Sequence, residues 1–508
     1  MKKSMWKKIE LGEDDEFDAS ALKRPAAIDP GAVKAAAEAI ESVQSGGDAV
    51  LEAAGKEACG AKWKSLEVTE AEIAAAQAEV DEDFLDELAY AIENASYFHE
   101  RQRQESWFTS EGDGRFMGQQ VMPLQRVGFY AGGGRESSCA AVLTCAVPAL
   151  VADVEEMVLC TPPREDGTVD PYTLVAATNI GIERIFKVGG AQAIAAMAYG
   201  TETIPKVDKI AGCGDARVAA AKKLVYGDVG IDMPCGPAET CILADYDAVP
   251  AFVAVDLLFH AERSPEAASY LVVLDGEMLP EIESCMEKFL DEASDADALR
   301  AALANLTVVV CAAFSQAFDV VNEIAPAYLE LFVTSPVDLI GAVRNAGSVF
   351  MGGWTPASAG PYAAGFGCSE LAPGAALYTG ALSADDFVKK IPFVSYTFDS
   401  LGSDAFIVST LSQREGMWTG NETVALRLDF IRHMRERVLG MMDDEPGDGC
   451  CGGGGHGHAD GGCCGGLHGR GHDGECECRE DGADGPDGAR GKGKGECCGG
   501  NRPKNGRR

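Results

Sequence analysis

The sequence predicts an α/β protein of two Rossmann-like, doubly wound domains, followed by a helical C-terminal arm and a disordered tail rich in Cys, His and Gly. Three observations predict it. Short apolar runs alternate with helix-length segments from Val121 to Met351, the order that gives parallel sheets covered by helices. Glycine clusters follow several of the apolar runs, where a strand-to-helix turn can need positive φ or a close approach to the backbone. After Leu439 apolar residues nearly vanish, so that segment cannot bury enough surface to offset its chain entropy.

The 508 residues suffice for two or three domains with a large core. A formal net charge of -37 argues against nucleic acid, whose backbone attracts basic faces, and fits a solvated acidic surface. The N-terminal MKKSMWKKIELGEDDEFD has lysines but no apolar core, so no signal peptide is expected. No apolar run approaches membrane-spanning length. A soluble, cytoplasmic protein without nucleic-acid or membrane partners is the expectation.

Residues 1–120 are expected as an N-terminal segment that is helical from 29 to 105. Pro30 marks a helix start before AVKAAAEAIESVQ, and the run from Glu70 to Gln102 is long enough for two amphipathic helices. His99, beside Glu100 and Arg101, reads as a surface or interface residue. The first α/β domain is expected over 121–236, with strands in VGFYAGGG and EMVLCTPP, at 184–188 and ending at Ala211, and helices at 137–151, 171–180, 191–199 and 216–224. The second spans 237–380, with strands at 240–244, 270–274, 307–311, 329–333 and 348–351 and helices at 250–261, 280–292, 314–324 and 337–346. A small-molecule cleft between the two domains is expected. Residues 381–440 read as a mostly helical arm and 441–508 as the tail.

The turns at Gly189-Gly190 and Gly212-Cys213-Gly214 each open a helix, whose N-terminus favours anions such as a pyrophosphate. Either turn alone would pass for an ordinary βα connection. The wording around them is more specific: KVGGAQAIAAMAYGTETIPKVDKI, then G-x-G, then GIDMPCGPAE, closely resembles the histidinol dehydrogenase family. The likeness runs from about Lys23 to Leu439. It implies a two-domain fold, NAD-dependent oxidation of histidinol to histidine, a zinc ion that orients the alcohol, and a homodimer whose arm reaches into the neighbouring active site.

The resemblance also implies site positions, and most of the chemistry is missing from them. The family's Q-A-E-H run is His260-Ala261-Glu262-Arg263 here; His260 retains an imidazole, whereas Arg263 carries a permanent charge. The S-A-G-D-Y run has Pro361 in place of the aspartate, and Gly420 stands where the arm supplies a histidine. Three of the four implied zinc ligands are therefore absent, and a catalytic zinc needs about three protein ligands. The family's Glu-His pair is Ala327-Tyr328, and an unperturbed tyrosine with a pKa of about 10 is a poor base near neutrality. Tyr130 and Gln192 match NAD-contacting positions, Asp215 replaces an asparagine beside NAD, Ala238 replaces a substrate-contacting serine, and Glu415 matches a substrate carboxylate. Asp215 would repel a pyrophosphate. Arg135 reads either as an anion ligand or as a surface arginine.

Ten of the 18 cysteines are scattered through residues 1–440 and are expected as small core residues rather than disulfides. Cys139, Cys213, Cys235 and Cys368 border the implied cleft; with His260 and Glu262 they would make a soft-metal or thiol site, or they simply fill space. The tail holds Cys450, Cys451, His456, His458, Cys463, Cys464, His468, His472, Cys476, Cys478, Cys497 and Cys498 among Gly, Asp and Arg. Thiolates and imidazoles suit zinc, nickel and copper(I). No pair has the C-x2-C spacing of a zinc ribbon, so several mobile ions fit the pattern better than one fold-forming site. Three readings follow: an ordinary histidinol dehydrogenase, a relative that has lost that site and binds metal, and an NAD-dependent alcohol dehydrogenase with a rebuilt site.

Overall fold

The computed structural model describes residues 6–22, 24, 28–110, 112, 114–133, 139–263, 266–366 and 371–443, without the side chains of 61, 263 and 440–443. Arg135, Cys368 and every tail ligand named above lie outside the described residues. Residues up to Arg432 make one compact unit, described here; those from His433 onward belong to a second.

The chain starts with strand β1 (Lys7–Glu10) and three helices, α1 (Pro30–Cys59), α2 (Glu70–Glu79) and α3 (Glu82–Glu100). Each helix start is set by its own sequence: Asp29, Thr69 and Asp81 accept backbone N–H groups at Ala32, Glu72 and Phe84, with a capping box at Thr69 and Glu72. Strands β2 (Trp107–Ser110) and β3 (Phe116–Pro123) follow.

The first parallel sheet contains β4 (Arg126–Tyr130), β5 (Glu156–Thr161), β6 (Arg184–Lys187), β7 (Lys209–Ala211) and β8 (Gly230–Ile231). Its helices are α4 (Cys139–Val151), α5 (Pro171–Ile180), α6 (Gly190–Tyr199) and α7 (Ala216–Val225). The strand order β6-β5-β4-β7-β8 reverses direction between β4 and β7. Alternation along β5 sends Met157 and Leu159 to one core and Val158 and Cys160 to the other, so both faces are covered. Helix α1 packs on α6 and α7, while α2 and α3 pack on α5 and α4. The N-terminal helices thus complete both faces of this sheet.

The second sheet contains β9 (Glu239–Ala244), β10 (Ala268–Val273), β11 (Leu306–Val310), β12 (Tyr328–Phe332) and β13 (Ser348–Met351). Helices α8 (Pro250–Arg263), α9 (Leu279–Glu292), α10 (Ala296–Leu303), α11 (Phe314–Ile324) and the short α12 (Pro336–Leu339) connect them. Its order, β1-β11-β10-β9-β12-β13, repeats the reversal, here between β9 and β12. Two expectations fail locally. The 337–346 segment forms only one short helix and a 3-10 turn, and β1 joins this sheet rather than the helical layer, in parallel register Lys7↔Thr307.

The arm is mostly helical, as expected, but it opens with a strand, β14 (Val388–Ser395), which pairs antiparallel with β3 in a three-stranded sheet, β14-β3-β2. Lys389, Lys390 and Pro392 interrupt its apolar pattern, which hides the strand in the sequence. Helices α13 (Phe398–Arg414) and α14 (Trp418–Asp443) complete the arm. Among the described residues, no helix is long and apolar enough to cross a membrane.

Candidate functional site

The reversal between β4 and β7 places Tyr130 and Gly212 side by side at the carboxyl ends of the strands, where open α/β sheets bind ligands. Gly212 has φ +109, and a Cβ there would lie 2.1 Å from the Tyr130 carbonyl oxygen, so only glycine fits. The Tyr130 hydroxyl accepts the Gly190 N–H at 2.9 Å, at the start of α6. Gln192 follows in the first turn of the same helix, whose N-cap residue, Gly189, has no side chain to cap it. Helix α7 differs. Asp215 Oδ1 accepts the Arg217 and Val218 N–H groups, both at 3.0 Å, and Oδ2 binds the Arg217 guanidinium at 2.7 Å. Burial works to raise the Asp215 pKa, but the Val218 amide and the Arg217 side chain outweigh it and hold the carboxyl below its ordinary value. A resident carboxylate therefore caps α7, and the anion-receptive end that lacks such a cap is that of α6.

The positions implied for the base pair and the substrate serine, with His260, gather at the amino ends of the second sheet. Ala238, Ala327 and Tyr328 fall in one apolar cluster with Phe350, Ala357 and Leu371. The Tyr328 ring stacks on Phe350 and lies 5.6 Å from the His260 ring, centroid to centroid. Phe366 continues the aromatic run to Phe98 on α3. Packed rings and alanine methyls occupy the positions where the resemblance implies carboxylate, imidazole and hydroxyl groups.

His260 is buried, and its Nε2 lies 2.9 Å from Glu330 Oε1. Glu330 Oε2 accepts the Ala357 N–H at 3.2 Å. Asp256, one helical turn before His260, hydrogen-bonds the same carboxylate. Burial, followed by the Glu330 charge, pushes Asp256 up to about 8, and burial pushes Glu330 up to about 7. Both carboxyls are raised, Asp256 the more strongly, so a proton between them favours Asp256 as donor to Glu330. The sequence signal for this triad is an aspartate in an otherwise apolar stretch, four residues before His260.

The donor set does not fit a catalytic zinc. His260 is engaged by Glu330, and Pro361, buried in a π-helical turn over Gly360–Ala364, has no donor atom. A Cβ at Gly420 would lie 2.7 Å from the Ser412 Cβ, so α13 occupies the space that a histidine there would need. Arg263 ends α8, and Glu415 is exposed at the C-cap of α13. Among the described residues, no group of three or more His, Cys, Asp or Glu is placed to hold a metal ion.

Among the described residues, the expected cysteine site is not assembled either. Cys213 and Cys235 are joined in a disulfide, against the expectation of reduced core cysteines. Cys139 packs against the core of the first sheet, where burial raises its pKa, and Glu262 is exposed on α8. His99, expected at the surface or an interface, is buried between α3 and the loop at Gly365. Its ring nitrogens lie 2.7 Å from Gln102 Oε1 and 3.0 Å from the Gly365 carbonyl, and burial lowers its pKa. Sequence reasoning also missed the buried ion pair of Lys222 and Asp232. Its signal is a lysine at i+4 from Val218 and i−3 from Val225, on the buried face of α7.

Two parallel sheets with matching reversals, within one compact unit, define an α/β protein with two doubly wound sheets. The histidinol dehydrogenase family profile matches residues 22–428. A histidinol dehydrogenase of Halalkalibacterium halodurans is 38% identical over 394 residues, 77% of this chain and 93% of the relative. One from Synechococcus sp. is 41% identical over 393 residues, 77% of this chain and 91% of the relative. The crystal structure of histidinol dehydrogenase from Elizabethkingia anophelis superposes with a TM-score of 0.78 at 30% identity, covering 84% of this chain and 99% of the other. The chain belongs to the histidinol dehydrogenase family.

Proposed function

We propose that this family member has lost the oxidation of histidinol while keeping the family scaffold, and that its tail binds soft metal ions. One observation carries the first part: Ala238, Ala327 and Tyr328 share a single apolar cluster, beside a His260 held by Glu330. At the positions implied for the Glu-His pair stand Ala327 and Tyr328, neither of them a base near neutrality, and the implied zinc ligand set is incomplete. The second part rests on twelve thiol and imidazole ligands in a segment otherwise poor in apolar residues. Metal content of the full chain, compared with a chain ending at Gly440, tests both. Zinc, nickel or copper(I) that follows the tail agrees with the proposal; stoichiometric zinc in the truncated chain would refute it.

A second reading, an NAD-dependent alcohol dehydrogenase with a rebuilt site, draws support from Tyr130 and Gln192 at the α6 N-terminus. Saturable NAD binding with reduction by an alcohol other than histidinol would favour it. A homodimer is the expected assembly. Phe406, Leu411, Trp418, Leu426 and Phe430 are all exposed on the arm, where a partner subunit would cover them.

A further inference from the structure

We infer that Cys213 and Cys235 form a thiol–disulfide switch that staples the loop after β7 to the connection between the two sheets, with Lys222 selecting which sulfur leaves. The two residues are 22 apart in sequence, with Cα atoms 5.6 Å apart. Cys213 lies in the turn at the sheet reversal; Cys235 lies in the crossover from β8 to β9, where its backbone bridges Leu371. The bond therefore links the turn at the reversal of one sheet to the entry of the other. It makes no use of the dehydrogenase chemistry and stands whether or not that chemistry is retained.

The surroundings make the two sulfurs unequal. Cys213 is half-buried, while Cys235 is buried. Lys222 Nζ, fully buried, lies 3.7 Å from Cys235 Sγ, donates to the Gly212 carbonyl at 2.7 Å and pairs with Asp232. Asp232 in turn accepts the Gly212 N–H at 2.9 Å. A neighbouring cation lowers a thiol pKa, and the lower-pKa sulfur is the better leaving group. Two other buried thiols have the opposite environment: burial alone pushes Cys311 up to about 12 and raises Cys160 as well.

Reduction then has a defined direction. The thiolate of an external dithiol attacks Cys213 Sγ, the S–S bond breaks, and its electron pair goes to Cys235 Sγ beside the Lys222 ammonium. The second thiol of the reductant, once deprotonated, displaces Cys213 from the mixed disulfide. Cys213 leaves as a thiolate and takes up a proton, and the reductant departs as its own disulfide. Both electrons come from the reductant, and an oxidised dithiol reverses the sequence. The turn loses its staple, while Gly212 stays held between Lys222 and Asp232.

The test uses the full chain. Unreduced protein, alkylated and digested, is expected to yield a linked Cys213–Cys235 peptide. Reduced glutathione, quenched with acid, is expected to leave its adduct on Cys213. Dithiothreitol is expected to speed hydrogen exchange at Cys213–Asp215 by about tenfold or more while the Gly212 amide stays protected. The double variant C213S/C235S should exchange like the reduced protein and ignore dithiothreitol. Absence of the linked peptide, an adduct on Cys235, or exchange indifferent to reduction would each overturn the inference.

Discussion

Replacing Asp256 by Asn should flatten the pH dependence of stability. The folded chain holds the Asp256 proton up to about pH 8, against an ordinary value of 3.8 in the unfolded chain. From about pH 4 upward the unfolded chain releases that proton and the folded chain does not, so the unfolded state gains relative to the native one. The contribution is fully present below pH 4, is lost as pH rises, and levels off above about pH 8. Between pH 5 and pH 8, about 3 pH units at about 1.4 kcal/mol each cap the loss at about 4 kcal/mol. Glu330 and His260 face Asp256 and share its titration: Glu330, itself raised by burial, adds to the effect, and a protonated His260 opposes it. Asn keeps the size and an N–H donor toward Glu330 but has no proton to lose. Urea unfolding of both proteins at pH 5 and pH 8 makes the comparison, since groups common to both cancel. The D256N variant is expected to lose at least about 1 kcal/mol less than the parent over that interval. Equal losses, or a larger one for D256N, would refute a protonated Asp256.

Gly212→Ala should destabilise the fold by about 1–3 kcal/mol, read as a lowered urea midpoint, because alanine cannot hold φ +109 against the Tyr130 carbonyl. Gly420→His restores a ligand type but should gain no zinc by metal analysis and should lower stability, since Ser412 occupies the space. The isolated tail should take up nickel, zinc or copper(I), with proton release and weaker binding as pH falls toward the imidazole pKa, followed by titration calorimetry. Light scattering should find a dimer at micromolar concentration, and only monomer there would contradict docking of the arm.

Much of the fold was legible because parallel strands buried on both faces read as near-continuous apolar runs, as in ETCILA and ASYLVV. What stayed hidden depends on partners distant in sequence. KKIE gives no sign that it will extend a sheet whose neighbouring strand begins at Leu306. VKKIPFVS is exposed along nearly its whole length, so no burial pattern marks it as a strand. The substituted site positions were readable residue by residue, yet how they pack was not. That Ala238 and Ala327 meet in one apolar cluster needs the β9–β12 pairing, and the fate of His260 needs Glu330, which no local spacing announces. Asp215 shows the reverse error: a charge judged by its effect on a ligand is first an N-cap for its own helix.

The central claim is that the packed cluster around Tyr328 no longer oxidises histidinol. Purified, zinc-supplied protein is incubated with histidinol and NAD, and the reduced cofactor is followed by absorbance. The account predicts turnover far below about 1 per second, the low end of ordinary enzyme rates. Turnover at or above that rate would contradict it and require a base and a metal site elsewhere in the chain.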